Sequence, residues 1–439
     1  MKRTNVKCRG LSVSLSIALL VLSAAGAGAQ ADIPGIPGPV FGLTASAGHI
    51  DTPDGDSLLV WGYGVTGGPI GFQYPGPNLI VNQGDEVVIT LTNSLPVPTS
   101  IVFPGHGKVT ASAPEAAANG GVVQYRFTAS HPGTYMYHSG TRPDLQVEMG
   151  LLGAIIVRPS GFDPALNRKA YGHAGSAYDH EYLFLLTEMD PRVHNLVDFG
   201  GLDLVDNTKH HTVLWFINGR NALDTMLMDF TPSKPHQPYS SMARMHPGEK
   251  VLMRIIGAGR ELHPFHHHGN HAALIARDGR VLESSPGAGE PGFPDLATLD
   301  FTQQVLPGST MDAIFGWTGK DLGWDIYGTG PGYEHTCNGL TVPSTGYDPA
   351  TKEYCPDHGK ALPVALPELQ DLTFGGHWSG SPFLGFFGPL PPGQGGLNPN
   401  AGFFMMWHSH TERELVNNDI FPGGMMTMLI IEPPGVPIP

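Results

Sequence analysis

The sequence predicts an all-β chain of two β-sandwich domains, the second carrying a long loop-rich insertion. Three observations predict it. The 439 residues include 59 Gly and 41 Pro, while hydrophobic residues make up 41%. Such a chain is dense in turns yet apolar enough to fold. Short runs alternate apolar and polar residues with the period of two that a strand shows when one face meets a core. Finally, motifs of the first half return in the second, and the length suits two or three domains.

The N-terminus reads as an export signal over residues 1–29. Lys2, Arg3, Lys7 and Arg9 are followed by an apolar run from about Leu11 to Leu22 and by Ala27-Gly28-Ala29, the small residues that a signal peptidase needs. The run is short for a bilayer span of roughly 20 residues. The expectation is an exported protein, periplasmic or extracellular, with no membrane partner once the leader is removed. The formal charge is −15, and losing a purely basic leader makes it more negative. A surface of that sign repels phosphate backbones and argues against a nucleic-acid partner. Of three cysteines, Cys8 leaves with the leader. Cys337 and Cys355, close together in a loop-like stretch of an exported chain, are expected to form a disulfide.

Strand-like runs cover Ser57–Val65, Asn78–Leu95, Val122–Ala129, Gly133–Ser139 and Gly150–Arg158. Val87, Ile89 and Leu91 alternate with Val88, Thr90 and Thr92. No long amphipathic helix is expected. Asn82-Gln83-Gly84-Asp85-Glu86-Val87 is echoed by His246-Pro247-Gly248-Glu249-Lys250-Val251. Gly133–Ser139 is echoed by Gly402–Ser409, and Gly150–Pro159 by Gly423–Pro433. Two copies of one unit follow: a domain over 40–160, a linker over 161–180, and a larger domain over 181–439. The excess length of the second copy is expected as an insertion at about 283–401, of a size that covers or shapes a site.

Chemistry concentrates in the histidines, 21 in all. His266 and His268 lie two apart, as do His408 and His410. On a strand each pair shares a face, so neighbouring strands bring four imidazoles into one volume. Imidazole ligates copper, zinc, iron and nickel, and packing several together without a metal is costly. His138, in Tyr137-His138-Ser139-Gly140, gains weight from its place opposite His408 in the repeat. Met405, Met406, Met425, Met426 and Met428 are expected to fill a core, although thioethers also suit Cu(I).

His263-Pro264-Phe265-His266-His267-His268-Gly269 resembles the His-Pro-x-His-Leu-His-Gly signature of multicopper oxidases. Trp407-His408-Ser409-His410 followed by Gly423-Gly424-Met425 resembles their C-terminal His-Cys-His segment, and Gly133–Ser139 with Gly150–Val157 their first-domain strands. The resemblance implies cupredoxin-like Greek-key sandwiches of the laccase and copper nitrite reductase type, copper as cofactor, and dioxygen as a partner alongside a small-molecule or metal-ion substrate. It implies metal ligation by His266, His268, His408, His410 and His138, and assigns His263 to the blue-copper site. Two-domain relatives also imply a homotrimer with clusters between subunits, the alternative being a monomer capped by the large insertion.

Departures from the family pattern limit this. Ser409 stands in place of the family's cysteine and Glu414 in place of its next histidine. Ser139 stands where a copper nitrite reductase has cysteine. A hydroxyl cannot supply the thiolate of a blue-copper centre. In the first domain Val102-Phe103-Pro104-Gly105 replaces His-x-His-Gly, unless a two-residue insertion lets His106 stand for one of the pair. The expectation is a copper-dependent oxidoreductase without a type 1 site, with Glu412 or Glu414 moving protons. The alternative is a non-catalytic copper-binding or carrier protein, or a degenerate structural one.

Overall fold

A computed structural model describes residues 32–329, 334–337, 346–361, 403–432 and 436–438. The expected leader and the later part of the expected insertion lie outside the described residues.

The first domain contains β1 (Ile36–Pro37), β2 (Val40–Asp51), β3 (Ser57–Val65), β4 (Leu79–Asn82), β5 (Glu86–Asn93), β6 (Thr110–Ala111), β7 (Gly121–Thr128), β8 (Gly133–His138) and β9 (Leu152–Arg158). They form two sheets in the orders β1-β4-β9-β8 and β3-β2-β5-β7-β6. The alternation read in β5 holds: Val87, Ile89 and Leu91 are buried, while Val88, Thr90 and Thr92 are half-buried. The inward residues join Leu43, Val123, Phe127, Tyr137 and Ile155 between the sheets.

The second domain contains β10 (His180–Met189), β11 (Leu214–Ile217), β12 (Ala243–Met245), β13 (Lys250–Gly257), β14 (His263–His267), β15 (Ala272–Arg277), β16 (Arg280–Val281), β17 (Thr298–Asp300), β18 (Thr302–Val305), β19 (Thr310–Gly316), β20 (Phe403–Ser409) and β21 (Met426–Ile431). One sheet runs β12-β21-β20-β14-β18; the other runs β11-β10-β13-β19-β15-β16, with β17 on β15. This is the first domain's plan repeated, an all-β Greek-key arrangement. Among the described residues the longest helix is α2 (Pro191–Asp198), with α1 (Pro143–Gln146) a single turn.

The repeated strand starts have one cause. In the first domain Gly84 adopts φ +94°, Asp85 N–H donates to Asn82 O, and the Asp85 carboxylate accepts from Asn82 N–H. In the second, Gly248 adopts φ +81° while Glu249 makes the same two bonds to His246. Glycine takes the left-handed turn position without a Cβ penalty. The acid closes the turn that launches β5 or β13.

One expectation shifts. β17, β18 and β19 lie within 283–401, yet β18 pairs with β14 and β19 with β13 and β15. Those residues belong to the sandwich because they complete both sheets. The added segment therefore begins after Gly316. Within it, Cys337 and Cys355 form the expected disulfide. The stretch read as a linker packs Ala170, Tyr171 and Tyr178 against Leu252, Ile275 and Ile314.

The domains share a core. Met136, Leu152, Ala154 and Ile156, on the outer face of β8 and β9, pack with Leu183, Leu185, Phe216 and Ile256 of the second domain. Beside them Arg158 and Arg254 both bind the buried Glu181 carboxylate, and Arg254 also reaches Thr134 across the interface. The two guanidiniums hold the Glu181 carboxyl far below its ordinary range against the opposing effect of burial. Such a buried network, spanning both domains, favours one register between them.

Candidate metal centre

β14 and β20 run antiparallel with Phe265 opposite Ser409, His266 opposite His408 and His267 opposite Trp407. The period of two sorts them onto two faces. Phe265 and Trp407 enter the sandwich core with Met405 and Met425. His266 and His408 turn to the outer face, where Met406 and Met426 pack with Ala222 and Leu415. The methionines therefore fill cores, as expected.

His268 follows β14 directly and is fully buried. Its position depends on Gly269, at φ +107°, where a Cβ would meet Met405 Sδ at 2.2 Å. One ring nitrogen each of His266, His268 and His408 lies within 4.8 Å of the others. The His410 ring stands beside them, 5.0 Å from that of His266 and 5.7 Å from that of His408, on the exposed side. The structure thus brings the four histidines of the two pairs to one place.

Electrostatics and hydrogen bonds both suit a cation there. Burial, reinforced by the neighbouring imidazoles, pulls the His266 pKa down to about 4, His268 to about 2 and His408 to about 4. The rings are neutral at physiological pH, the form that ligates metals. His408 Nδ1 lies 2.7 Å from Ser409 O and donates to it, leaving the lone pair on Nε2. His266 Nδ1 lies 2.8 Å from Thr302 Oγ1. A partner on the far nitrogen fixes ring and tautomer in metal-bound histidines. His408 Nε2 is 3.2 Å from His268 Nε2. Only a proton or a cation between two such nitrogens makes that approach favourable, and two ligands at about 2 Å from one ion fit it. The donor set therefore fits a borderline first-row ion such as copper.

The other sequence-predicted residues lie elsewhere. His263 is on the core side of β14 and fully buried. Its Nε2 is 2.9 Å from Glu188 Oε2 and its Nδ1 2.9 Å from Glu414 Oε2. Burial opposes its charge, but the two carboxylates prevail and raise its pKa to about 9. Both nitrogens are engaged by acids, so this site is a carboxylate–imidazolium–carboxylate bridge. It also absorbs Glu414, leaving Glu412 exposed on the surface. Sequence reading missed Glu188; its signal was an acid shortly after the apolar run Leu183–Leu186. Glu188 also accepts from Glu261 N–H at 3.1 Å, and a Cβ at Gly259 would collide with its carboxylate.

His138, half-buried, pairs with Val102 through backbone bonds. Its Nδ1 donates to Ser139 O at 2.9 Å, as His408 does to Ser409, and burial lowers its pKa. It lines a cleft of about 420 Å³ between the domains together with Glu148, Glu188 and Arg260. His106 packs its ring on Phe127 and Tyr135, at 4.6 and 4.4 Å between centroids. Neither His138 nor His106 joins the group around His268.

Comparison with known proteins points to multicopper oxidases. Residues 67–161 match the multicopper oxidase family model. An L-ascorbate oxidase of Cucurbita pepo var. melopepo is 36% identical over 126 residues, 26% of this chain and 21% of that protein. A multicopper oxidase of Talaromyces pinophilus is 38% identical over 97 residues, 20% of this chain and 15% of that protein. The matched segments thus span well under a third of those relatives' length. The blue copper oxidase of Nitrosomonas europaea superposes with a TM-score of 0.53 at 18% identity, covering 89% of this chain and 85% of that one. Copper is the metal that relatives of this family bind. The first domain thus matches the multicopper oxidase family model, and the chain as a whole shares the two-sandwich fold of the solved blue copper oxidase.

Proposed function

We propose that the protein is an exported copper-binding oxidoreductase that works at a histidine-held copper site without a type 1 centre. The observation that carries this reading is the convergence of His266, His268 and His408 within 4.8 Å, with His410 beside them. Copper bound there supplies one-electron redox chemistry and an open coordination position for dioxygen. The chain's own contribution is to keep these imidazoles neutral and to hold the His408 Nδ1 proton on Ser409 O. Thr302 orients His266. Glu412, exposed beyond the last histidine pair, is the remaining acid for proton exchange. His138 adds a ligand only if a further surface meets the cluster, as it would in a homotrimer. The substrate is a small molecule or metal ion oxidised at the expense of dioxygen.

The absence of a type 1 centre is inferred from the residues at its place. Ser409 offers no thiolate, and His263 is occupied on both sides by Glu188 and Glu414. This observation also favours a second reading, a copper carrier or degenerate oxidase, because the usual electron inlet is missing.

Metal analysis with electron paramagnetic resonance on the copper-loaded protein, followed by oxygen-uptake assays on phenols and metal ions, separates these readings. Retained copper, no blue thiolate band and oxygen uptake are expected. Tight binding without turnover would favour the carrier; a protein that retains no copper would overturn both.

A further inference from the structure

A second set of metal-ligating side chains lies in the added segment after Gly316, apart from the copper-family motifs. Asp325, His335, Glu353 and His358 each place one donor atom within 4.8 Å of the others. His335 Nε2 is 3.4 Å from Asp325 Oδ1 and 3.2 Å from Glu353 Oε2. His358 Nδ1 is 3.4 Å from Asp325 Oδ2 and 3.1 Å from Glu353 Oε1. The two rings stand 4.8 Å apart and nearly perpendicular, at 86°. The carboxylate side chains are both only 1% exposed, against 18% and 33% for the imidazoles.

Pairwise hydrogen bonding accounts poorly for this pattern. Each histidine presents one nitrogen to both acids at once, although a single N–H points at one acceptor at a time. Two nitrogens and two carboxylates facing a common point is the arrangement of a coordination shell. Two buried carboxylates side by side also need positive charge between them, and a divalent ion supplies both units.

The surroundings fix these donors. Asp325 Oδ1 accepts from Tyr327 N–H at 2.9 Å and Oδ2 from Gly359 N–H at 2.8 Å. Tyr327 packs in the core of the second domain. The disulfide ties Cys337 to Cys355, which stand two residues beyond His335 and Glu353. The cross-link thus holds the two ligand-bearing segments together before any ion arrives.

We propose that Asp325, His335, Glu353 and His358 form a site for a divalent first-row transition ion of the zinc type. Four protein donors fill a tetrahedral shell, the pattern of structural sites, and the absence of thiolate disfavours Cu(I). With the disulfide, the ion staples the added segment onto the second domain. This site does not depend on the copper reading.

The test uses the full-length chain stripped of metal, in wild-type form and as H408A to disable the histidine cluster. Zn(II) binding is measured calorimetrically, and Co(II) serves as the spectroscopic probe. One tight equivalent, with the intense visible bands of four-coordinate Co(II), is expected in H408A, and that same equivalent in wild type beside any ion held by the histidine cluster. E353Q is expected to weaken binding at least about 100-fold, since even an outer partner of a ligand contributes about 10–100-fold. H358Q, altering the more exposed ring, provides the same readout should E353Q not fold. Zn(II) binding unchanged in H358Q would overturn the proposal. So would H408A protein that binds no Zn(II), which would leave an ion-pair network only, or that binds Co(II) without four-coordinate bands.

Discussion

The two domains place the same backbone in equivalent positions and fill it differently. Val102 pairs with His138 in the first domain as His266 pairs with His408 in the second. Ser139 N–H donates to Leu151 O as Ser409 N–H does to Met425 O. Leu151 N–H in turn donates to Gln146 O, and Met425 N–H to Glu414 O. Inside the first sandwich, Gln146 Oε1 accepts from Thr99 and Ser139 hydroxyls at 2.7 and 2.6 Å. Inside the second, the corresponding place holds His263 between Glu188 and Glu414. On the outer faces, Ala154 and Ile156 are fully buried by the other domain, whereas Met428 and Ile430, their counterparts, are half-buried. At the strand ends the order reverses: Val102 is exposed and His138 half-buried, whereas His266, His268 and His408 are buried. Repetition of a fold therefore repeats geometry, and burial decides which copy keeps chemistry.

The largest expected effect falls on the imidazole face. H268A/H408A removes both nitrogens of the 3.2 Å pair; copper at the cluster should be lost in metal analysis, with folding preserved in circular dichroism. H138A should leave the copper of an isolated chain unchanged. If H138A instead removes as much copper, the division of labour between the domains is wrong.

Next comes the buried bridge. Glu414→Gln leaves His263 one carboxylate short, and breaking a buried ion pair costs about 3–5 kcal/mol. Denaturant unfolding should report it, with Gln146→Ala, in the neutral counterpart, costing less. The pH dependence has a definite sign. The His263 pKa rises from 6.5 to about 9 on folding, so its contribution is complete below about pH 6.5 and is lost as pH rises through 9. Stability of the wild type should decline between those values, and the decline should shrink in H263Q. An equal decline in both proteins would place the alkaline sensitivity elsewhere.

Much of this was legible in the sequence because it depends on short-range patterns. The alternation in β5, the Gly-acid strand starts and the spacing of His266 with His268 and of His408 with His410 each report local geometry. What escaped depends on distant residues. Glu188 reaches His263 from β10, and Thr302 reaches His266 from β18. The insertion boundary was misplaced because β17–β19 are short and interrupted by Gly and Pro, and only pairing with β13, β14 and β15 marks them as sheet. Asp325, His335, Glu353 and His358 are spaced without a repeating motif, so the chain path alone unites them.

Thr302→Val should have an intermediate effect. It removes the oxygen 2.8 Å from His266 Nδ1 while keeping the side-chain volume. Losing such an orienting partner costs about 10–100-fold in metal affinity. A competition titration against a chelator measures it. Affinity equal to wild type would mean that packing against Phe301 already fixes the ring.

The smallest effect is expected from building the missing histidine into the first domain. Val102 is 38% exposed, against 4% for His266, so Val102→His should change stability by no more than about 0.5 kcal/mol. It sets an imidazole opposite His138, whose Nδ1 is already held by Ser139 O and whose Nε2 is therefore the ligating nitrogen. Two imidazoles on a wetter face should bind copper more weakly than the group on the second domain, where burial strips water and His268 adds a third donor. Equilibrium dialysis of Val102→His in the H268A/H408A background isolates this new pair. Weak binding there would mean that the backbone of both domains can support a metal and that side chains alone separate them. No binding would assign the difference to His268 and to the Gly269 turn that seats it, a feature for which Pro104-Gly105 is no substitute.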